Sequence, residues 1–339
     1  MSFKVAVVGA PGAVGREILK TLVERGFPVR EAVALASGRA AGQMVSLGED
    51  QVLQTAILEK HDFGGTDLVF FAQNIAVSRL HAPRAAAAGA MVIDTSAAFT
   101  LEPDVPLVVP EVNADKLERA RKRRIVANPD SGVIQMAVAL KPLHDLVRIR
   151  RVVVASYQPV SGQGKEAMDE LWSQARGMYV NEMPPAEQFT KQIAFNLIPH
   201  IGNFEETGST AEESRMATGL RKVLDPDIAV GASCVRVPVF IGQALALHVE
   251  FEGPLTDKQA WSAWREAPGI AVMDRREDGG YATPVEIAGE DAVHISRVRR
   301  DASVPHGLAF WCVADNLRKG AALNAVQIAE ELAARRLIG

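Results

Sequence analysis

Short apolar runs alternate with amphipathic helical patterns over the first 130 residues of this chain. The apolar runs are typical of strands, and apolar positions spaced three or four residues apart are typical of helices. Strands are predicted over residues 5–8, 32–36, 68–72, 91–94, 107–109 and 125–127. Helices are predicted over 14–25 and 77–88, and a glycine follows each of them. This alternation predicts a doubly wound, Rossmann-type parallel sheet covered on both faces.

The pattern changes after residue 131. A predicted helix over 133–146 is followed by a strand over 151–159, a helix over 165–176 and strands over 232–240 and 244–251. A last helix is predicted over 319–336. We therefore expect an α/β protein of two domains. Residues 1–130, completed by helix 319–336, form the Rossmann-type domain, and 131–318 form an α+β domain with a mixed sheet.

Composition restricts the class of protein. Of the 339 residues 48% are hydrophobic and the net charge is −4, which is ordinary for a soluble folded chain and gives no basic surface for nucleic acid. The first strand begins near the N-terminus without a signal-peptide pattern, and no apolar stretch is long enough to span a membrane. With only two cysteines, a cytoplasmic protein without disulfides is expected. The seven histidines show no metal-ligand spacing, so no metal is expected.

A glycine-rich loop follows the first predicted strand. Its glycines recur at every third position, and the segment reads Gly9, Ala10, Pro11, Gly12, Ala13, Val14, Gly15. Such glycines allow a tight turn and let a pyrophosphate approach the N–H groups at a helix N-terminus. The loop predicts a dinucleotide site. The alternative is a tight turn kept only for packing, and Pro11 favours it because proline lacks an N–H donor.

The second predicted strand ends without the acidic residue that would bind a ribose 2′-hydroxyl. Ser37 and Arg39 stand there instead, and a hydroxyl and a guanidinium suit a 2′-phosphate. NADP is therefore favoured over NAD, with an ordinary surface loop as the alternative.

The segment 127–136 is typical of an active-site turn entering a helix. Asp130 and Ser131 precede an apolar-periodic helix, so either residue could cap its N-terminus. Ser131 could instead be a nucleophile, but a serine hydroxyl needs an adjacent base, and none can be placed from the sequence. The capping role is favoured.

Several of these segments resemble one family, in the same order along nearly the whole chain. Residues 92–99 read Val-Ile-Asp-Thr-Ser-Ala-Ala-Phe, close to the Val-Ile-Asp-Asn-Ser-Ser-Ala-Phe of aspartate-β-semialdehyde dehydrogenases. Further resemblances to that family lie at 9–15, 36–43 (with Ala40 and Gln43 departing), 110–113, 157–165, 234–239 and 314–324. The related acyl-phosphate reductase of arginine synthesis shares the chemistry, but 315–324 fits the aspartate branch better.

The resemblance implies a homodimer of two-domain subunits, the second domain binding substrate and forming the dimer. Such an enzyme reduces aspartyl phosphate to the semialdehyde with NADPH through a cysteine nucleophile and a histidine base. It also implies that Ala72, Gly162 and Asn316 belong to the cofactor site. Arg236 matches the arginine that binds the substrate carboxylate, Gln135 matches a glutamine that contacts substrate, and Glu212 and Arg215 match an acidic–basic pair.

Three positions depart from the family's chemistry. Ser131 stands where the family has its cysteine, Gln243 where it has its histidine, and Thr100 where it has a phosphate-binding arginine. Glutamine has no proton to exchange near neutral pH, so it cannot act as a general base. The chain resembles a usg-type paralogue that has lost the catalytic pair.

Several functions remain open at this point. The first is a catalytically impaired dimer that keeps the fold and a pocket for a small carboxylate. The second is an active NAD(P)-dependent oxidoreductase on another small carboxylate, and the third is a non-catalytic scaffold or regulatory protein. A serine hydrolase would need a base close to Ser131. Arg236, between two valines of a predicted strand, either lines a pocket or pairs with a carboxylate.

Overall fold

The computed structural model describes residues 2–49 and 51–338, apart from the side chain of Arg39. The described chain folds as two compact units. One contains the residues up to Asp130 together with those from Ala321 onward, and the other is Ser131–Gly320.

The N-terminal unit contains a parallel sheet of short, buried strands. Its strands and a small hairpin are β1 Phe3–Val8, β2 Val29–Ala36, β3 Met44–Leu47, β4 Gln51–Gln54, β5 Ala56–Ile57, β6 Leu68–Phe71, β7 Met91–Asp94 and β8 Ile125–Ala127. The sheet order is β5-β2-β1-β6-β7-β8, and every neighbouring pair is parallel. β3 and β4 pair antiparallel outside this sheet.

Helices α1 Ala13–Glu24, α2 Ile75–Ala87 and α3 Pro110–Asn113 lie between these strands, with 3₁₀ turns at Gly38–Ala40, Leu58–Lys60 and Ala114–Arg121. The strand predicted over 107–109 is wrong, because Leu107 forms only an isolated bridge with Ala127. Pro106 and Pro110 flank the segment, and neither has an N–H to extend the pairing.

The C-terminal unit is built on a mixed sheet. Its strands are β9 Ile149–Gln158, β10 Ala229–Arg236, β11 Gln243–Phe251, β12 Ile270–Val272, β13 Val293–Asp301 and β14 Gly307–Ala314. The order is β10-β9-β11-β14-β13-β12, with parallel outer pairs and antiparallel inner pairs. Its helices are α4 Ser131–Leu146, α5 Lys165–Val180, α6 Ala211–Val223, α7 Asp257–Glu266 and α8 Pro284–Ile287, with a 3₁₀ turn at Val160–Gln163.

Helix α4 is the central helix of this unit. Ten of its sixteen residues are buried, and it contacts β9, β11, β13 and β14 as well as α6 and α7. Trp264 of α7 is fully buried, and its indole N–H donates to Ala139 O of α4 at 2.7 Å. Its ring also meets that of Phe310 edge-on at 5.0 Å. Burial of these apolar side chains supplies the main driving force for packing α4 and α7 on the sheet.

The chain ends by returning to the N-terminal unit. A π-helical turn at Arg318–Leu323 precedes α9 Asn324–Ala334, so the predicted helix over 319–336 is α-helical only in its later part. Buried residues of α9, such as Val326 and Ile328, share a core with Val5, Phe70 and Ile93. The predicted α/β class, with a Rossmann-type parallel sheet and a second unit of mixed sheet, is confirmed. Within the described residues no helix has the length and apolar character needed to cross a membrane.

Candidate active site

The glycine loop lies between β1 and α1. Gly9 has φ +84°, and an added Cβ would lie 2.2 Å from Ala72 O. A Cβ on Gly15 would lie 2.2 Å from Gly9 O, so neither position accepts a side chain. Gly12 precedes α1 and no side chain caps this helix. The first N–H groups of α1 can therefore receive an anion, which is the arrangement that a dinucleotide pyrophosphate requires.

The end of β2 contains the residues predicted to choose between NAD and NADP. Ser37 is exposed and precedes the 3₁₀ turn Gly38–Ala40, while the side chain of Arg39 lies outside the described part of the chain. Ala72 follows β6, and its N–H donates to Val8 O at 2.9 Å. The exposed side chain of Ser37 is open to solvent.

Thr100 and Asp94 belong to the segment that follows β7. Thr100 is buried and uncharged. Asp94 is fully buried and accepts a hydrogen bond from Ser96 Oγ at 2.8 Å, while the N–H of Ala98 donates to Ser96 Oγ at 3.1 Å. Burial raises the pKa of Asp94 to about 6, although the Ser96 hydrogen bonds oppose that shift.

Ser131 is the first residue of α4, and its hydroxyl does not cap the helix. Its Oγ donates to Gln243 Oε1 at the start of β11. The prediction that Ser131 is an N-cap is therefore wrong, because its side chain is bonded across to another element. Asp130 occupies the position before the helix. An amide oxygen accepts a hydrogen bond but does not take a proton near neutral pH, so this pair leaves Ser131 a neutral hydroxyl.

Gln135 lies one helical turn after Ser131, on the same side of α4. It is fully buried, and its Nε2 donates to Ala314 O at 3.4 Å. Ala314 is the residue that pairs with Gln243 in the β11–β14 ladder. Gln135 Oε1 and Gln243 Nε2 have no hydrogen-bond partner among the described residues. Two buried amides with one unpaired atom each are costly to the fold unless a ligand satisfies them.

Two glycines that the sequence analysis did not single out make this cluster possible. A Cβ on Gly132 would lie 2.8 Å from Gln243 Nε2, and one on Gly320 would lie 2.5 Å from Ser131 Cβ. Larger residues would therefore displace Gln243 or Ser131. Gly320 lies within the family-like segment 314–324, which was the available signal, whereas nothing in the sequence marks Gly132.

Arg236 ends β10 and is buried. Its Nη1 donates to Pro159 O at 2.6 Å, and a Cβ on Gly162 would lie 3.1 Å from the same nitrogen. Burial lowers the pKa of Arg236, and the Glu212 carboxylate opposes that shift. The guanidinium is therefore buried within electrostatic range of Glu212, while its hydrogen bond goes to a backbone carbonyl. The two roles that the sequence left open stay predictions.

Glu212 and Arg215 lie in the first two turns of α6. Arg215 Nη2 donates to Glu212 Oε2 at 2.5 Å, and Gln158 Nε2 donates to Glu212 Oε1 at 3.0 Å. Gln158, which the sequence analysis did not identify, therefore links Glu212 to β9. It lies opposite Arg236 in the β9–β10 ladder.

Met216 connects this charged group to the serine–glutamine pair. A Cβ on Gly132 would lie 3.0 Å from its methyl carbon, and its sulfur lies 3.3 Å from Cys234 Sγ, two residues before Arg236. The structure therefore brings the six predicted catalytic and substrate residues of this unit into one neighbourhood: Ser131, Gln135, Glu212, Arg215, Arg236 and Gln243. Thr100 belongs to the other unit.

Asn316 fixes the loop that contains Gly162. Its Nδ2 donates to Ser161 Oγ at 3.0 Å, and its Oδ1 accepts from the N–H of Gly242 at 3.0 Å. Asn316 thereby ties the 3₁₀ turn Val160–Gln163 to the residue before Gln243.

Neither thiol of the chain is available as a nucleophile. Cys234 and Cys312 are both buried. Burial raises the pKa of the Cys234 thiol to about 12 and also raises that of Cys312, so both stay protonated near neutral pH. Over residues 2–49 and 51–338, no group of histidine, cysteine, aspartate and glutamate is arranged to hold a metal ion.

Comparison with known proteins identifies the family. Residues 4–120 match the semialdehyde dehydrogenase NAD binding domain, and residues 140–319 match the semialdehyde dehydrogenase dimerisation domain. Aspartate-semialdehyde dehydrogenase of Rickettsia bellii is 44% identical over 330 residues, 97% of each chain. That of Aquifex aeolicus is 44% identical over the full length of both chains.

The chain belongs to the aspartate-semialdehyde dehydrogenase family. Its fold agrees with this membership: the crystal structure of aspartate semialdehyde dehydrogenase II from Vibrio cholerae, complexed with ASA, has a TM-score of 0.96 and 42% identity, covering 98% of this chain and 99% of that one. The predicted resemblance to aspartate-semialdehyde dehydrogenases is confirmed at the level of the family.

The raised pKa of the buried Asp94 carboxyl leads us to expect that the stability of the protein depends on pH. The pKa of Asp94 is higher in the folded than in the unfolded chain, so its contribution to stability is complete at acidic pH and is lost as pH rises from about 4 to about 6. Asp94→Asn removes this loss and retains an acceptor for Ser96. The difference in free energy of unfolding between the variant and wild type should therefore move in favour of the variant by up to about 3 kcal/mol as pH rises from 4 to 7.

Urea unfolding of both proteins at several pH values measures this difference. The exposed carboxylate variant Asp278→Asn is the control and should show a pH-independent difference. Parallel pH profiles for Asp94→Asn and wild type would contradict the prediction.

Proposed function

We propose that this chain is an NADP-binding aspartate-semialdehyde dehydrogenase homologue that is impaired in the family's phosphorylating reaction. The observation that carries the proposal is the hydrogen bond from Ser131 Oγ to Gln243 Oε1. By resemblance, these two residues stand at the positions of the cysteine nucleophile and the histidine base. An amide in place of the imidazole cannot remove the serine proton.

The rest of the unit offers no replacement for the missing pair. A thiolate is the nucleophile in the family's chemistry, and both thiols here are buried with raised pKa values. The only partner that the Ser131 hydroxyl has among the described residues is Gln243. A serine hydrolase, which needs a base within reach of the hydroxyl, is disfavoured on the same ground.

The carboxylate side of the site is retained. Arg236 supplies a buried cation next to Glu212, and a guanidinium can bind a carboxylate through two hydrogen bonds. Gln135 Oε1 and Gln243 Nε2 could meet polar groups of the same ligand. Thr100, buried and uncharged, supports the loss of the phosphate site.

The residues of the glycine loop fit a dinucleotide, because two of its glycines cannot carry a side chain and α1 is uncapped. Bound NADP would supply or accept a hydride. The loop residues Gly9–Val14 would hold its pyrophosphate, Ser37 and Arg39 its 2′-phosphate, and Ala72, Gly162 and Asn316 are assigned to the cofactor site by resemblance.

Restoring the two groups tests the impairment. Ser131→Cys/Gln243→His should increase NADP-dependent, phosphate-dependent oxidation of aspartate semialdehyde by about 10²–10⁴-fold, since it provides both a thiol and a base. The rate is followed through NADPH absorbance. Thr100→Arg is added in a second step, since Thr100 is buried and the larger residue needs space.

Ser131→Ala/Gln243→His is the matched control, because it restores the base without a nucleophile and should remain as slow as wild type. A wild-type rate comparable with that of an active family member such as the Vibrio cholerae enzyme would refute the impairment.

The glycine loop, whose residues fit a dinucleotide, also favours a second candidate, which is an active oxidoreductase that acts on a different small carboxylate. Calorimetry with NADPH and NADH tests its cofactor. NADPH should bind more tightly, and Ser37→Asp should shift the ratio of the two affinities towards NADH by about tenfold, because a carboxylate repels a 2′-phosphate. Ser262→Asp, which changes another exposed serine, is the control and should change neither affinity. Absence of binding at millimolar NADPH would exclude both oxidoreductase functions and leave the scaffold role.

We also propose a homodimer. Support comes from the match of residues 140–319 to a dimerisation domain and from an apolar surface on α5 and the segment after it. Segment 189–198 packs on α5 through Ile193, Ala194 and Ile198. The exposed members of this surface are Trp172, Met178, Tyr179, Val180, Met183, Phe195, Leu197 and Phe204. Exposed apolar surface of this extent is typical of a protein interface.

Sedimentation equilibrium tests this assignment. Tyr179→Glu/Leu197→Glu should convert the dimer to monomer, because charges would be buried in the interface without partners. Leu80→Glu/Leu101→Glu changes two exposed leucines of the N-terminal unit and should leave the dimer intact. A dimer that survives the first pair of substitutions would place the interface elsewhere.

A further inference from the structure

Two polar side chains of α5 are buried against an irregular part of the chain. Glu170 is 9% exposed and Gln174 is fully buried. Buried polar groups are costly to the fold unless hydrogen bonds satisfy them. The described segment 181–210, which follows α5, contains no helix or strand. Irregular segments of this length in a compact unit usually serve a function, so the contacts that hold this one indicate its role.

Glu170 and Gln174 hold the irregular segment by its backbone. Glu170 Oε2 accepts from the N–H groups of residues 187–188 at 2.9 and 2.5 Å. Gln174 Oε1 accepts from the N–H groups of residues 193–194 at 3.0 and 3.2 Å. Gln174 Nε2 also donates to Glu170 Oε1 at 3.2 Å. The two side chains therefore form a connected pair that binds the backbone of segment 187–198 at two places.

Segment 187–198 pairs with the backbone of Arg236. The N–H of Ile198 donates to Arg236 O at 3.0 Å, and the N–H of Arg236 donates to Ile198 O at 2.9 Å. Arg236 is the last residue of β10, which is an outer strand of the mixed sheet. The exchanged hydrogen bonds therefore fix the backbone from which the buried guanidinium extends.

The same segment contacts the turn Val160–Gln163. Gln163 Nε2 donates to Gln188 O at 2.6 Å. Val160 belongs to a small buried apolar core together with three residues of segment 187–198, which are Ile193, Ala194 and Ile198. The turn is therefore packed and hydrogen-bonded against the segment that Glu170 and Gln174 hold.

This turn in turn adjoins the guanidinium of Arg236. Arg236 Nη1 donates to the carbonyl of Pro159, the residue before the turn, at 2.6 Å, and a Cβ on Gly162 would lie 3.1 Å from the same nitrogen. The backbone and the side chain of Arg236 are thus both bonded to parts of the chain that segment 187–198 either contains or contacts.

We propose that Glu170 and Gln174 are positioning residues for Arg236, and that they act through segment 187–198. Displacement of this segment would release the backbone of Arg236 and the turn beside its guanidinium. The consequence for binding rests on the proposed function, under which Arg236 holds the carboxylate of the ligand. A guanidinium binds a carboxylate through two directed hydrogen bonds, so a small displacement weakens that contact strongly.

Exchange of the two polar groups tests the proposal. In Glu170→Gln an N–H group of the new amide meets another N–H donor in either orientation of that amide, and in Gln174→Glu two carboxylates meet. Each single variant therefore breaks the pair. Glu170→Gln/Gln174→Glu reverses the donor and the acceptor, so it can form all the hydrogen bonds of the pair. Glu331→Gln is the matched control, because Glu331 of α9 also accepts from the residue four positions further on.

Residue-resolved hydrogen–deuterium exchange of the full-length protein measures the order of the Arg236 backbone. In each single variant the N–H of Arg236 should exchange at least about tenfold faster, measured relative to the amides of α4. The amides of α4 are the reference, because a general loss of stability would accelerate both sets. The double variant and the Glu331→Gln control should exchange within about threefold of wild type.

Calorimetry with aspartate semialdehyde measures the effect on the site. Each single variant should bind about tenfold more weakly than wild type, and the double variant should recover the wild-type affinity. Absence of binding to wild type would refute the carboxylate site of the proposed function. The exchange rate of the Arg236 N–H would then still decide whether the pair positions this residue.

The proposal is overturned if segment 187–198 exchanges faster in the single variants while the Arg236 N–H does not, since the pair would then hold that segment alone. It is also overturned if the double variant fails to restore slow exchange. Circular dichroism confirms folding. If a single variant does not fold, Gln163→Ala replaces it: this exposed residue loses its bond to Gln188, which should accelerate exchange of the Arg236 N–H by about threefold. Unchanged exchange in that variant would contradict the proposal as well.

Discussion

The candidate site depends on how closely the first turn of α4 approaches β11 and the chain before Ala321. Gly132 and Gly320 leave no room for side chains at this approach, and the space is filled by Gln243 and Ser131. Because α4 is buried against four strands and two helices, its first turn has little freedom to move. Ser131 and Gln135 are therefore fixed relative to Gln243 by the core of the unit. A packed core holds such a site more accurately than a loop would.

This arrangement places a serine hydroxyl against a glutamine amide. A hydroxyl bonded to an amide has neither a proton acceptor nor a lowered pKa, whereas a thiol beside an imidazole has both. Under the proposed function, Ser131 and Gln243 stand for a cysteine and a histidine, an exchange that removes a thiol and an imidazole but keeps a polar contact between the two positions. The buried Arg236 and Glu212 remain alongside. Under the same proposal, binding of a carboxylate by Arg236 does not require a reactive group at position 131.

Much of the fold follows from the sequence alone. The alternation of apolar runs and amphipathic segments predicts the parallel sheet, since strands buried on both faces must be apolar throughout. The glycine loop, the serine at position 131 and the family resemblance are also local features that can be read directly. The helices α6 and α7 and the strands β12 and β13 were not predicted, because their patterns are short or interrupted by charged residues such as those of β13.

Only the tertiary structure decided what these residues contact. The sequence favoured a helix cap for Ser131, but the partner of its hydroxyl lies 112 positions away on β11. The hydrogen bonds that join Gln158 to Glu212, Asp274 to the N–H of Arg297 and Asn316 to the N–H of Gly242 are likewise non-local. Local sequence determines backbone preference and the chemistry that each side chain can perform. The partner of a buried polar group is set by the packing of distant segments, which local patterns do not encode.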